Sequence, residues 1–399
     1  MQKILNQKHN KHTFTFASSK LLERTAYYGI RSLLVLYMVK ASLSIPEEEA
    51  LQIYGWFTSA VIFAQILGAV LGDLILGSKR AVIVGGLTQA IGAFVLCIPS
   101  MAGLYSGLGL ILLGSGMYSP NLSAHFGKLY LNRTQLLDAA FTILYMFINI
   151  GALLGTTVIT GIGESFGWNF GFILAGFVML VSALLPILSK EQIEIEQQAD
   201  AGKLSANQRF FNVIFGILAG SFFWVLYEVI SIGNFEIQTN ILQTIPMEIP
   251  KSIWFTLGSF FSFPLLIVAI ILWTLFYQNQ FVKLTIGFLS GAFSIGILLL
   301  IPEASNGMSI IMYLISVLLL NIAEVHIGPI ISSIITQYAN PKYLAIVMSL
   351  VFVPTRLLMV LVGFFSENWE KSPSLGLVIG TIGMGILGLG IFVYQKKEV

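Results

Sequence analysis

Charge is what this sequence has least of. Only 10% of its 399 residues are Asp, Glu, Lys or Arg, against roughly 25% in soluble globular chains. With 56% hydrophobic residues spread over the whole length, the composition fits a polypeptide whose solvent is largely lipid. Cysteine is nearly absent as well. Cys97 stands alone, so an internal disulfide is excluded. The histidines His9, His12, His125 and His326 do not stand together at metal-ligand spacing, and no phosphate-cradling glycine loop is followed by Lys and Ser. Neither an enzyme nor a metal, cofactor or nucleic-acid partner is expected. Residues 1–20 are polar and basic, so no cleavable signal sequence is expected either.

What is present is a series of long apolar runs. Backbone that crosses lipid must satisfy its own hydrogen bonds, so such runs read as helices of roughly 20 residues. They are too long, and alternate too little, for membrane strands. Twelve spans are expected, at 20–40, 51–74, 81–99, 103–125, 138–161, 167–188, 210–233, 253–276, 284–301, 308–335, 343–365 and 373–394. The longest polar stretch away from the termini runs from Ser189 to Arg209. It divides the chain into a six-helix bundle at 1–188, a linker at 189–209 and a second bundle at 210–399, the layout of carriers built from two repeated halves. With both termini inside, 14 of the 21 Lys and Arg residues fall in inner segments, against Lys40, Lys251 and Lys371 outside. The positive-inside rule therefore places both termini in the cytoplasm.

The exceptions within the spans are informative, because ionisable groups at membrane depth face a cavity or a partner helix. In span one Lys20, Glu23, Arg24, Tyr27, Tyr28 and Arg31 recur at three- and four-residue spacing, which places most of them on one broad stripe. Glu23 and Arg24 also read as a structural pair. Glu228 in span seven and Glu324 in span ten are isolated acids that can stay protonated, line water or meet a cation. His326 titrates near neutral pH but is two positions from Glu324, so the two need not share a face. Arg356 follows Pro354 in span eleven and either lines a path or braces a half-interface. Pro120, Pro264, Pro329 and Pro354 are sites for kinks. Gly68 with Gly72, and Gly151 with Gly155, have the small-residue spacing of close helix contacts.

These segments resemble the major facilitator superfamily, and within it the proton-dependent oligopeptide transporter family. The run Gly68, Gly72, Asp73, Gly77, Lys79 and Arg80 is similar to the superfamily's cytoplasmic loop, which implies a gate between helices; Leu74 stands where that loop usually has arginine. Lys20-Leu-Leu-Glu23-Arg24-Thr-Ala-Tyr27-Tyr28-Gly-Ile-Arg31 resembles the peptide transporters' first-helix signature. The stretch from Gly114 to Ala124 resembles their fourth helix, the stretch from Phe141 to Gly151 their fifth, Trp224 to Glu228 their seventh and Glu324 to Pro329 their tenth. The resemblance covers most of the chain in the same order. Lys20 occupies the position of the family's first glutamate, implicated in proton coupling. Ser119 occupies that of its fourth-helix lysine, implicated in coupling and carboxylate binding. A linker of about 20 residues is too short for the two extra spans common in bacterial members.

The resemblance implies an all-α polytopic protein of the bacterial inner (plasma) membrane, with the major facilitator fold and lipid as its surroundings. It implies alternating-access, proton-coupled symport of short peptides or related small amphoteric solutes. Arg24 and Arg31 would meet a carboxylate, joined by Lys20. Tyr28 and Asn149 would bind backbone groups, Glu324 an ammonium, and Trp224 would wall the pocket. Glu23, Glu228 and Glu324 would couple or gate. No obligatory protein partner is expected. A divergent carrier or exporter of another small solute, and a non-transport scaffold or receptor, remain alternatives.

Overall fold

The computed structural model describes residues 2–3, 7–40, 43–190, 204–244, 254, 257–302, 304–351, 353–355, 357 and 373–398. The described chain is helical nearly throughout: α1 (Thr13–Lys40), α2 (Glu47–Leu76), α3 (Ser78–Val95), α4 (Met101–Lys128), α5 (Thr134–Phe166), α6 (Trp168–Leu188), α7 (Ala206–Thr244), α8 (Leu257–Leu275), α9 (Gln280–Leu298), α10 (Gly307–Tyr338), α11 (Leu344–Leu350) and α12 (Pro373–Glu398). The later part of the expected eleventh span, with Arg356, lies outside the described residues, as do linker positions 191–203.

Eight of these helices are long and apolar enough to cross a membrane, judged by length and composition: α2, α4, α5, α6, α7, α9, α10 and most of α12. Their outer faces leave large apolar side chains open, Trp56 at 77% and Phe63 at 72% exposed. A water-soluble fold hides such groups; one embedded in lipid has no need to.

Several helices outrun their expected spans, because hydropathy misses polar residues that face protein. Helix α1 starts at Thr13, whose hydroxyl donates to the Asn10 carbonyl at 2.6 Å. Ser19 is fully buried and shares a 2.6 Å hydrogen bond with Tyr118 of α4. A capping box, in which Asn306 and Ser309 each bond the other's backbone, sets the start of α10. Gly77, at φ 79, makes the turn from α2 into α3, a conformation that disfavours a side chain.

Helix α1 packs on α5 and α6, α2 on α4, and α3 on α4 and α6. Among the later helices, α9 packs on α10 and α12, and α7 on the same two. The expected small-residue contacts are present. A Cβ on Gly68 would lie 2.3 Å from the Gly116 backbone of α4, and one on Gly155 would lie 2.3 Å from the Thr25 carbonyl of α1. Lipid gives no hydrophobic drive between helices, so close approach of this kind carries the packing.

Early and late helices meet where α5 touches α8 and α10, and where α11 touches α2 and α4. The N-terminal segment adds a strap. Gln2–Lys3 pairs antiparallel with Phe276–Tyr277 just past α8, the sole strand pairing among the described residues. His9 hydrogen-bonds Tyr130 between α4 and α5 at 2.9 Å, and Thr274 of α8 at 3.0 Å.

Replacing Gly155 with Leu is expected to force α1 from α5 and destabilise the fold by about 3 kcal/mol, read as a lowered Tm in detergent. The strap is expected to be pH-dependent. Burial, with a smaller contribution from the Arg133 guanidinium, holds the His9 imidazole below its ordinary value of 6.5. As pH falls, the detached segment takes up the proton first. The contact is therefore complete above about 6.5 and lost as pH drops through the lowered value. A spin label at Gln7 should gain mobility between pH 7.5 and 5, and a His9→Gln variant should give a flat profile.

Candidate functional site

Two cavities lie along the junction between early and late helices. The lower one, nearer the end that carries the N-terminus, has a volume of about 270 Å³. Lys20, Arg24 and Tyr28 of α1, Ser119 and Ser123 of α4, and Trp224 of α7 line it. The upper cavity has a volume of about 550 Å³ and is lined by Tyr28, Asn149, Tyr227, Asn234, Asn321 and Glu324. Tyr28 borders both. Tyr145 of α5 lines the lower cavity and donates its hydroxyl proton to Glu324 of α10, which lines the upper. That bond therefore stands between the two spaces.

The lower cavity is cationic. Glu23 is fully buried beside it and receives the Arg24 guanidinium as a fork, Nε to Oε2 at 2.7 Å and Nη2 to Oε1 at 2.6 Å. The Lys20 ammonium lies 3.3 Å from the same carboxylate. One acid thus serves two cations, and the second positive charge is left over at the cavity wall. Lys20 also donates to Ser119 at 2.7 Å. Its ammonium thus lies against Ser119, the residue to which the resemblance assigns the fourth-helix lysine position. The Arg24 guanidinium packs 4.7 Å from the Tyr27 ring centroid, whose face attracts the positive charge.

The stripe of α1 therefore divides. Lys20, Arg24 and Tyr28 reach the lower cavity with Ser119 and Trp224, while Asn149 and Glu324 line the upper cavity, which Tyr28 also borders. Glu23 is sealed behind its two cations. Arg31 lines neither cavity; it turns toward α2, donating to the Tyr54 hydroxyl at 2.8 Å. Glu228 is exposed and also lines neither. His326 faces away from Glu324, into a groove of about 80 Å³ beside Trp273 of α8. This is the consequence of two-residue spacing on a helix.

The expected gate segment lies at the end of α2. A Cβ on Gly72 would collide with Asn121, whose side chain donates to the Gly68 carbonyl at 2.9 Å. Asp73 accepts from the Ile346 backbone N–H at the start of α11 at 2.9 Å, with the Lys128 ammonium 3.7 Å from its other oxygen. Helix N-termini favour such anions. Arg80 is exposed, and Lys79 donates to the Ser189 carbonyl at 2.6 Å.

Three polar residues here escaped the sequence reading. Tyr145 was visible only as part of a motif, although its spacing of four from Asn149 puts both on one face. Asp138 opens the expected apolar span at 138–161 yet is buried near the start of α5, and Lys283, one residue before the expected span at 284–301, is a buried residue of α9 that donates to Asp138.

The sequence profile of the Major Facilitator Superfamily matches residues 17–363. The chain belongs to that superfamily. It is therefore a multi-pass membrane protein of a family of carriers, not of enzymes. Within the superfamily its similarity falls on peptide transporters. It is 29% identical over 228 residues to dipeptide and tripeptide permease B of Shigella dysenteriae, a stretch covering 56% of this chain and 45% of that one. It is 31% identical over 173 residues to a di-/tripeptide transporter of Lactococcus lactis, covering 42% and 35%. The chain thus spans less than half the length of these curated relatives. Solved structures share the fold. One POT family transporter bound to a thioalcohol-conjugated peptide superposes with a TM-score of 0.63 at 18% identity, covering 100% of this chain and 98% of that one. Another, bound to 5-aminolevulinic acid, gives 0.62 at 18% identity, covering 99% and 98%.

Glu23→Gln is expected to leave two buried cations without their acid and to cost about 3–5 kcal/mol. Lys20→Met, which keeps the Arg24 fork, should cost less. Tm measurements on the two purified variants check the order.

Proposed function

We propose that this chain is a proton-coupled symporter of short peptides or related small amphoteric solutes, working by alternating access. The observation that carries the reading is the separation of charge along one path: the one positive charge that Lys20 and Arg24 hold in excess of Glu23 in the lower cavity, and the Glu324 carboxylate in the upper. A zwitterion spanning Tyr28 would place its carboxylate against the cations and its ammonium against Glu324. A solute with the wrong charge at either end would leave a buried charge unpaired. Tyr28 and Asn149 would bind peptide groups between the poles, and Trp224 would wall the anionic end. The names of the curated relatives, and the ligands of the structural ones, point the same way.

The proton would act at Glu324. Binding biases a conformational equilibrium only through a difference in affinity between states. Protonation of Glu324, or its pairing with a substrate ammonium, lowers the cost of enclosing it. Twelve spans in two bundles, residues 1–188 and 210–399 joined by the linker at 189–209, would rock about this site. Both termini would lie on the cytoplasmic face of a bacterial inner membrane.

One observation favours a second reading. The acid–lysine pair that the peptide transporters carry is replaced by Lys20 on Ser119, a change that suits another anion-bearing small solute.

Vesicles containing the purified chain test the proposal. An imposed inward proton gradient is expected to drive saturable uptake of di- or tripeptides. Glu324→Gln should lose gradient-driven accumulation by at least about tenfold, while Lys20→Met should weaken uptake of solutes with a free carboxylate. Absence of flux across a broad peptide panel defeats peptide symport, and unchanged accumulation by Glu324→Gln defeats its coupling role.

A further inference from the structure

At about 550 Å³ the upper cavity is larger than a single ammonium needs, and its wall carries neutral amides to which no role has been attached. Asn321 stands three residues before Glu324 on α10 and lines the same space, as does Gln238 of α7. They are 6% and 7% exposed. Each is tied to the main chain by its nitrogen. Asn321 Nδ2 donates to the Val317 carbonyl at 2.8 Å, and Gln238 Nε2 donates to the Trp254 carbonyl at 2.8 Å. These bonds fix which end of each amide is nitrogen, because the reverse would set oxygen against oxygen. Each side chain keeps an amide oxygen that no described residue donates to, and a second N–H.

We propose that Asn321 and Gln238 form a selection shelf for the first side chain of the solute, favouring one that bears a carboxamide or a hydroxyl. The inference rests on the carrier reading above, which puts the solute ammonium at Glu324.

Three features carry it. The first is place. A spacing of three puts Asn321 and Glu324 on one helix face, so a residue whose ammonium meets Glu324 has its own side chain close to the Asn321 amide. Gly258 of α8 lines the same cavity, and a Cβ there would already lie 3.8 Å from Asn321 Nδ2. A longer side chain at that position would cover the amide. The second is charge. Glu324 is the single Asp or Glu among the described lining residues, and no Lys, Arg or His is among them. Once the solute ammonium has taken that carboxylate, a second cation would stand unpaired, and an acidic side chain would face Glu324 itself. A neutral group with donors and acceptors meets neither penalty. The third is preorganisation. Trp254 holds Gln238 twice, accepting from its side chain and donating Nε1 to its main-chain carbonyl at 2.9 Å. The indole is 1% exposed and lies 5.2 Å from the Tyr313 ring. Gln238 has therefore given up its freedom before the solute arrives. An apolar side chain would strip water from both amide oxygens and offer nothing in return.

The test measures binding of dipeptides to the purified full chain by titration calorimetry. Asparaginyl-alanine and leucyl-alanine differ in the first side chain but share its branching, and lysyl-alanine adds a charge. The native chain is expected to bind asparaginyl-alanine on the order of tenfold more tightly than either of the others. N321L and Q238M should each bring the asparaginyl-to-leucyl ratio down toward one. N321D supplies a second carboxylate and should strengthen lysyl-alanine binding on the order of tenfold. Each readout is a ratio of two peptides on one folded sample, which a merely destabilised variant does not change. The native ratio needs no variant, so the test stands where a variant fails to fold. Equal binding of asparaginyl- and leucyl-alanine by the native chain overturns the shelf. So does a native ratio that persists in folded N321L and Q238M. In both cases peptides still bind, and the carrier reading survives. If no dipeptide binds or crosses native vesicles, the carrier reading fails and the shelf falls with it.

Discussion

A carboxylate within hydrocarbon has to find its partners inside the protein, because lipid offers it none. The arrangement of this molecule follows from how that constraint is met at four places. Glu23 is answered by Arg24 and Lys20. Asp73 is answered by the start of α11 and by Lys128. Asp138 is answered by Lys283, Gln280 and Ser333, and Glu324 by Tyr145. Three of these four acids reach between an early helix and a late one. Glu23 instead braces α1 and leaves its surplus cation facing the cavity. The rare charges therefore mark joints and a binding wall rather than being scattered.

The contacts made without charge have a different character. Within the early helices, Gly68 admits the backbone of α4, and Gly151 and Gly155 admit that of α1. Such approaches leave no slack, since van der Waals contact falls away within a fraction of an ångström. They suit helices that move as a body. Polar joints behave differently, because water can replace each partner. Under the proposed alternating access the molecule would open along such polar joints, and each cavity is lined by residues of both early and late helices. The solute groups proposed to bind there would change the balance of the same polar contacts that close it.

Much of this was legible from residue order. The apolar runs located the helices, since backbone in lipid has few alternatives. The stripe from Lys20 to Arg31 and the isolated Glu324 announced a polar interior. Helix ends were less legible: Thr13 and Ser19 read as loop residues until their buried partners on other helices are known. Side-chain direction was legible only in part. Arg31 looks equivalent to Arg24 in the sequence, yet Tyr54 draws it toward α2. Lys283 looks like a surface cation at a helix start, yet it is buried against Asp138 and Trp273.

Composition and periodicity by themselves determined that this is a helical membrane chain whose ionisable groups mostly turn inward, because charge is costly in lipid; Glu228, exposed on α7, is an exception. Which acid meets which base was decided only by tertiary structure. Asp138 and Lys283 are 145 residues apart, and Tyr145 and Glu324 are 179 apart. No local rule relates positions so distant; only the packing of α5 against the late helices brings them within hydrogen-bond reach.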